Sequence, residues 1–278
     1  MSTVHDIEKI LKPLKDDNTS GSAQIALHAI KCIRSIIRRK DTRVSVRLLK
    51  YIAEQLISAQ PSMGIMLNLA YGIGKMNGRV QRSDIVLYLD RFETSIQTHR
   101  SIIAGKVFDL LQGNKVVMTY SASSTVFESL KYAYGRGRKF SVVVLESRPM
   151  NEGRDMMVQL VNSSIPVTYA TDAAGMSMLA TSHIDSVFIG GDALYGDGFV
   201  CKTGSRAIAE LCAGKGVRLY GLCGTEKTVP EELRNRFVVL DMPVKELTDF
   251  KNKFAAVINR YFEIVPQNMF TKIITDSR

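Results

Sequence analysis

The sequence predicts an α/β protein: a helical N-terminal domain over residues 1–113, then a Rossmann-like α/β domain with a mostly parallel sheet over residues 114–278. Two observations carry this. Up to Leu111, apolar residues recur at three- and four-residue steps, as on helices buried along one face. After Gln112-Gly113-Asn114, short apolar runs alternate with helix-length segments, the rhythm of a parallel sheet wound by helices.

In chain order, Ile25, Ala29, Cys32, Ile33 and Ile36 share a helical face, and Ser20 and Gly21 stand where a cap is expected. Val46, Leu49, Ile52, Leu56 and Ile57 continue the rhythm after Asp41-Thr42. Pro61 interrupts it, Met63, Met66, Leu67 and Ala70 resume it, and Arg82 to Leu111 forms a long amphipathic stretch. No strand is expected before residue 115. The expected strands are Val116 to Thr119, Ser141 to Leu145, Val167 to Ala170, Ser186 to Ile189, Val217 to Leu222 and Phe237 to Leu240, apolar enough to be buried on both faces. Asp197-Gly198 marks a tight turn between two short extended pieces.

A chain of 278 residues, 45% apolar and 23% charged, supports a sizeable core and excludes disorder. No apolar run approaches the ~18 residues of a membrane span. The opening residues lack the apolar centre of a secretory signal, so a cytoplasmic location is expected. Cys32, Cys201, Cys212 and Cys223 form no C-x-x-C pair, and His5, His28, His99 and His183 are scattered. No disulfide framework, metal site or cofactor is expected. The net charge of +10 is partly concentrated at Lys31, Arg34, Arg38, Arg39, Lys40, Arg43, Arg47 and Lys50, against the single acid Asp41. This segment reads either as a patch for RNA or an acidic protein, or as the solvated faces of two helices. No aromatic residue is interleaved to stack on bases, so the solvated faces are favoured and nucleic acid is not expected as a partner.

In doubly wound sheets, ligands bind beyond the carboxyl ends of the strands. Tyr120–Ser124, Glu146–Arg154, Thr171–Gly175, Gly190–Asp192 and Cys223–Lys227 are therefore expected to converge on one crevice. Ser121, Ser123 and Ser124 lead into a helix start, where hydroxyls and free amides favour phosphate or simply cap the helix. Arg148 offers a bidentate fork to an anion or a structural ion pair to Glu146. Gly190 and Gly191 let the backbone approach a ligand, with Asp192 directed into the crevice or capping a turn. Lys202-Thr203-Gly204-Ser205 stands at another expected helix start, a second anion cradle. Neither G-x-G-x-x-G after the first strand nor G-x-x-x-x-G-K-[ST] is present, which disfavours dinucleotide and P-loop sites.

Several of these loops resemble one superfamily: Leu145-Glu146-Ser147-Arg148-Pro149 with Gly153, and Ile189-Gly190-Gly191-Asp192 with Gly198, Lys202 and Gly204. So do Phe262-Glu263-Ile264-Val265-Pro266 and Ile273-Ile274-Thr275-Asp276. It comprises the alpha, beta and delta subunits of translation initiation factor 2B, methylthioribose-1-phosphate isomerase and ribose-1,5-bisphosphate isomerase. Gln60 to Met63 and Thr119 to Val126 resemble patterns of its archaeal initiation factor 2B-like group, and the likeness extends to Asp17–Gly21.

The resemblance implies a catalytic cysteine and aspartate acting on a phosphorylated ribose in the isomerases. Here Ser121 stands at the cysteine position and Asp192 at the aspartate position. Gln60, Cys201 and Gly224 also depart from the isomerase pattern, whereas Arg148 and Lys202 match it. A serine is a far weaker acid than a cysteine near neutral pH. The expected function is a non-catalytic protein like the regulatory subunits, with a pocket for a phosphorylated sugar or nucleotide lined by Ser123, Ser124, Arg148, Gly190, Gly191 and Lys202. The alternatives are an aldose–ketose isomerase acting on a phosphorylated ribose such as ribose-1,5-bisphosphate, with Asp192 and Ser121 catalytic, or different chemistry in the same pocket. The resemblance also implies a homodimer or larger homo-oligomer built through the α/β domain, aided by Phe254, Ala255, Val257, Ile258, Tyr261 and Phe262, with a translation initiation factor as a further partner. It does not imply guanine-nucleotide exchange, which resides in other subunits of the eukaryotic factor.

Overall fold

The structure, a computed structural model, describes residues 4–17, 20–39 and 44–277. It divides into two compact units, Met1–Thr98 with Thr225–Val238, and His99–Gly224 with Val239–Arg278.

In the first unit lie α1 (Val4–Asp16), α2 (Ser22–Arg38), α3 (Val46–Ala59), α4 (Gly64–Gly74) and the first part of α5 (Arg82–Leu110). Their apolar stripes supply a dry interior that includes Leu14, Ile25, Ile33, Leu49, Ile52, Leu56 and Ile65, all fully buried. Ser45 caps α3, its hydroxyl accepting from the Leu48 amide at 3.2 Å. The cap expected at Ser20 and Gly21 forms differently. Gly21 holds the cap position and has no side chain to offer, while the Ser20 amide donates to Asp17 Oδ1 at 2.9 Å. Within the basic segment, residues 40–43 lie outside the described residues, and Arg34 pairs with Asp90 and Glu93 at 2.5 and 2.6 Å.

Phe237 to Leu240 is not a strand. It follows a 3₁₀ helix, Glu231–Arg236, and the Phe237 amide closes on Arg234 O. Val238 and Leu240 are 46% and 44% exposed, so apolar composition alone did not bring this run into a sheet.

The second unit is built on a six-stranded sheet of order β3-β2-β1-β4-β7-β9, with every pairing parallel. The strands are β1 (Val116–Tyr120), β2 (Ser141–Leu145), β3 (Val167–Ala170), β4 (Ser186–Gly190), β7 (Arg218–Leu222) and β9 (Lys272–Ile274). A second sheet, β5 (Ala193–Tyr195), β6 (Gly198–Lys202) and β8 (Phe262–Pro266), is antiparallel. Successive side chains point to opposite faces. Val117, Val142, Val144 and Phe188 accordingly pack with the end of α5, α6 (Ser124–Gly135) and α7 (Gly153–Asn162). Met118, Val143, Leu145, Val187 and Ile189 pack with α8 (Asp172–Thr181) and α9 (Ser205–Lys215). The layers are those of an α/β doubly wound sheet.

The strand expected at Phe237–Leu240 is replaced in the sheet by β9, which lies beside β7. Strand β3 is not buried on both faces, because it is an edge strand and leaves Thr168 and Tyr169 exposed. The tight turn is Gly196-Asp197, with Gly196 at φ 56° and Gly198 already paired to Tyr195. No described helix is long and apolar enough to cross a membrane.

Residues 239–261 hold no regular helix or strand beyond a short 3₁₀ turn and one bridge, Asp241 to Arg260. Glu246 fastens the segment by accepting from Asn259 Nδ2 and Tyr261 Oη, each at 2.7 Å. Phe250, Phe254 and Ile258 remain 62%, 87% and 75% exposed.

Candidate functional site

The parallel register sets the carboxyl ends of β1, β2, β3, β4 and β7 along one edge, and short hydrogen bonds tie the loops that leave it. Ser121 follows β1 with φ 63°, a region that side-chain-bearing residues seldom adopt. Its amide donates to Ser147 Oγ at 2.7 Å. Ser147, fully buried after β2, donates its own amide to Asp172 Oδ1 at 2.7 Å, and the Arg148 amide donates to Asp172 Oδ2 at 2.9 Å. One serine and one aspartate thus bind the loops after β1, β2 and β3. Asp172 opens α8, where the helix dipole favours a carboxylate.

Ser123 caps α6, its hydroxyl accepting from the Val126 amide at 3.4 Å, and Ser124 is the first, exposed residue of that helix. A Cβ at Gly190 would lie 2.2 Å from Ser123 Oγ, and one at Gly191 would lie 2.5 Å from the Phe199 ring. The chain's own packing therefore requires both glycines. Asp192 is half-buried; its amide donates to Val200 O at 2.8 Å, and its carboxylate makes no hydrogen bond or ion pair among the described residues.

Lys202, at the end of β6, is 3% exposed. Its Nζ lies 2.7 Å from Glu152 Oε1 and 4.9 Å from the centroid of the Tyr261 ring. Glu152 Oε2 and Thr203 Oγ1 are buried without a hydrogen-bond partner. The amino terminus of α9, the expected second anion cradle, holds a carboxylate of this chain: Glu263 Oε1 accepts from the amides of Gly204 and Arg206 at 2.7 and 2.9 Å. Tyr120 Oη donates to Thr203 O at 2.6 Å. Arg148 is exposed and forms no ion pair, with Glu146 or any other described residue. In the first unit, Gln60 donates its side-chain amide to Leu14 O and Asp17 O at 2.8 and 3.0 Å, a structural role.

Burial raises the pKa of Tyr120, and the charges of Asp172, Glu152 and Glu263 raise it further. Burial likewise keeps Cys201 a neutral thiol, against a lowering hydrogen bond from Ser205 and with help from Glu263 and Asp192. The loops after the strands thus carry the carboxylates Glu152, Asp172 and Glu263 beside the cations Lys202 and Arg148, and Arg148 and Asp192 form no ion pair among the described residues. Sequence reasoning missed Glu152, Asp172 and Glu263. All three lie in segments it had quoted, but their partners are 24 to 59 residues away in the chain.

The model of the Initiation factor 2 subunit family matches residues 18–277. A translation initiation factor eIF-2B subunit 2-like protein of Pyrococcus furiosus is 26% identical over 97% of this chain and 94% of its own length. The ribose 1,5-bisphosphate isomerase of Archaeoglobus fulgidus is 21% identical over 98% of this chain and 89% of its own length. Among solved structures, translation initiation factor eIF-2B from Pyrococcus horikoshii superposes with a TM-score of 0.85 at 21% identity, covering 99% of this chain and 96% of that one. A chain of the tetrameric eIF2B-beta2-delta2 complex from C. thermophilum superposes with a TM-score of 0.74 at 18% identity, covering 98% and 91%. With a match across nearly its whole length, this chain belongs to the Initiation factor 2 subunit family, which places it among eIF2B-like proteins with isomerase relatives.

Proposed function

We propose that this protein is a non-catalytic member of its family, similar to the regulatory subunits of initiation factor 2B, and that it binds a phosphorylated sugar or nucleotide in the crevice. The observation that carries this is Ser121. It stands where the resemblance to the isomerases calls for a cysteine, and a serine hydroxyl is a far weaker acid than a thiol near neutral pH. The two thiols in this part of the fold, Cys201 and Cys223, are fully buried. The ligand's phosphate is held by Arg148, by amides at the start of α6 near Ser123 and Ser124, by the Gly190–Gly191 backbone, and by Lys202 after displacement of Glu152. The protein works in the cytoplasm as a homodimer or larger assembly, with a translation initiation factor as a further partner. The assembly is supported by the exposed apolar side chains of Phe250, Phe254 and Ile258.

Titration calorimetry with ribose-1,5-bisphosphate and with adenosine monophosphate tests the pocket. Arg148→Ala weakens binding about tenfold, the equivalent of one charge-assisted hydrogen bond. Asp192→Asn leaves binding unchanged within about twofold, because a carboxylate offers no donor to a phosphate. Equal binding by wild type and Arg148→Ala would contradict the assignment. A monomer in sedimentation runs at tens of micromolar protein would remove the dimer.

A second reading has one specific observation behind it. The Asp192 carboxylate is half-buried and unpartnered, the state of a group available to move a proton. In that reading Asp192 and Ser121 isomerise a phosphorylated ribose.

A further inference from the structure

The amino ends of the same strands carry a cluster that the crevice does not use. Helix α6 runs back toward that edge, and Arg136–Phe140 lead from it into β2. From Lys131 to Lys139 the chain reads Lys-Tyr-Ala-Tyr-Gly-Arg-Gly-Arg-Lys, with four cations, two tyrosines and no carboxylate. Every cation lies over a ring. Lys131 Nζ is 5.5 Å from the Phe127 centroid, and the Arg136 guanidinium is 4.5 Å from that of Tyr132. The Arg138 guanidinium is 4.2 Å from the Phe108 centroid, and Lys139 Nζ is 4.5 Å from that of Tyr134. Of the seven cation–ring contacts in the described residues, four fall in this one short stretch.

The rings are braced. Phe108 meets Tyr132 edge-on at 6.2 Å, and Tyr134 meets Phe140 edge-on at 5.6 Å. Arg138 Nε donates to Phe108 O at 3.2 Å. None of the four cations forms an ion pair among the described residues, and neither does Asp109 or Glu128 on the adjoining helices. Lys115, exposed at the head of β1, adds a fifth positive charge, because the Ser141 amide at the head of β2 donates to its carbonyl at 2.9 Å. One carboxylate at this edge, Asp185, accepts from the Lys115 and Val116 amides and pairs with His183.

We propose that this edge of the sheet binds single-stranded RNA. Guanidinium groups held close over rings, at 4.5 Å for Arg136 and 4.2 Å for Arg138, keep their charge for phosphates, and arginine beside aromatic rings is a platform on which bases stack. Tyr132 is 37% exposed, and the space beside Gly135 and Gly137 is open, so a sugar-phosphate backbone can approach closely. An acidic protein would answer the charge but not the repeated planar groups. The expectation against nucleic acid was drawn for the whole chain, and this proposal departs from it because residues 127–140, unlike residues 31–50, interleave charge with rings. A five-residue strand spans roughly 13–17 Å, so substitutions here leave the crevice untouched.

Fluorescence anisotropy with the full chain and a labelled oligouridylate of about 12 nucleotides tests this at about 50 and about 200 mM salt. The wild type binds saturably, and more weakly at the higher salt. The Arg136→Ala/Arg138→Ala double variant binds about tenfold or more weakly, with a salt slope shallower by roughly 0.7 per cation removed. Tyr132→Leu weakens binding and leaves the slope unchanged, and Arg38→Glu binds like wild type. Circular dichroism melts of all variants match wild type. The proposal is overturned by absence of saturable binding at the lower salt, or by wild-type affinity in the double variant or in Tyr132→Leu. It is also overturned by loss of binding in Arg38→Glu, or by capture of a polyglutamate peptide in place of RNA.

Discussion

The two ends of the parallel sheet treat charge in opposite ways. At the carboxyl end the chain answers its own polar groups: Glu152 holds buried Lys202, Glu263 fills the start of α9, and Asp172 takes the amides of Ser147 and Arg148. At the amino end, Lys131, Arg136, Arg138 and Lys139 rest on aromatic rings with no carboxylate partner among the described residues. A charge satisfied inside the fold contributes to stability, and removing its partner exposes the cost of desolvation. A charge left toward solvent contributes little to stability and remains available to a partner. The same fold thus concentrates internal charge pairing at one edge and leaves cations over aromatic rings without ion pairs at the other.

The largest break in this comparison comes from Glu152→Ala. It strands a lysine that is 3% exposed. The loss is about 3 kcal/mol, at the lower end for buried pairs because Glu152 itself is 23% exposed. A fall in melting temperature of roughly 6–12 °C would register it. Asp172→Ala comes next, at about 1–2 kcal/mol, since two backbone amides lose their acceptor. Chemical denaturation of the two variants beside wild type ranks them, and a larger loss for Asp172→Ala would reverse the argument.

Asp185→Asn sharpens the contrast through pH. Burial of Asp185 opposes ionisation, but the amides of Val116 and Lys115 and the His183 side chain outweigh it and hold the carboxyl below its usual range. A depressed carboxyl stabilises the fold above its unfolded value of about 3.9, and that contribution is lost as pH falls through the folded value. The melting temperatures of wild type and Asp185→Asn therefore differ most near about pH 7 and converge toward about pH 3. A constant gap would count against the assignment. The smallest effect belongs to Arg136→Ala, within about 0.5 kcal/mol of wild type by denaturation, although the residue stacks on Tyr132.

The central strands were legible because Val116–Tyr120, Ser141–Leu145 and Ser186–Gly190 are apolar runs flanked by helix-length segments and are buried in fact. Phe237–Leu240 has the same composition but follows a 3₁₀ helix and stays largely outside the core, so composition misled. Strand β9, Lys272–Ile274, is three residues long and too short to show a period. Within the candidate site, the loops could be named from their places after the strands. The partners Glu152, Asp172 and Glu263 could not, because pairing between distant loops is set by the fold and leaves no local pattern. Ser147 entered the sequence reading only as part of the loop after β2, and its burial and hydrogen bonds mark it as the link between the loops after β1 and β3.

The central claim is that a crevice related to that of the isomerases binds its ligand without turning it over. The most direct measurement is the conversion of ribose-1,5-bisphosphate by purified protein, with binding recorded on the same preparation. The account predicts saturable binding and no conversion above the uncatalysed rate, for wild type and for Ser121→Cys alike, since Gln60, Cys201 and Gly224 also depart from the isomerase pattern. Robust wild-type turnover, abolished by Asp192→Asn, would contradict it.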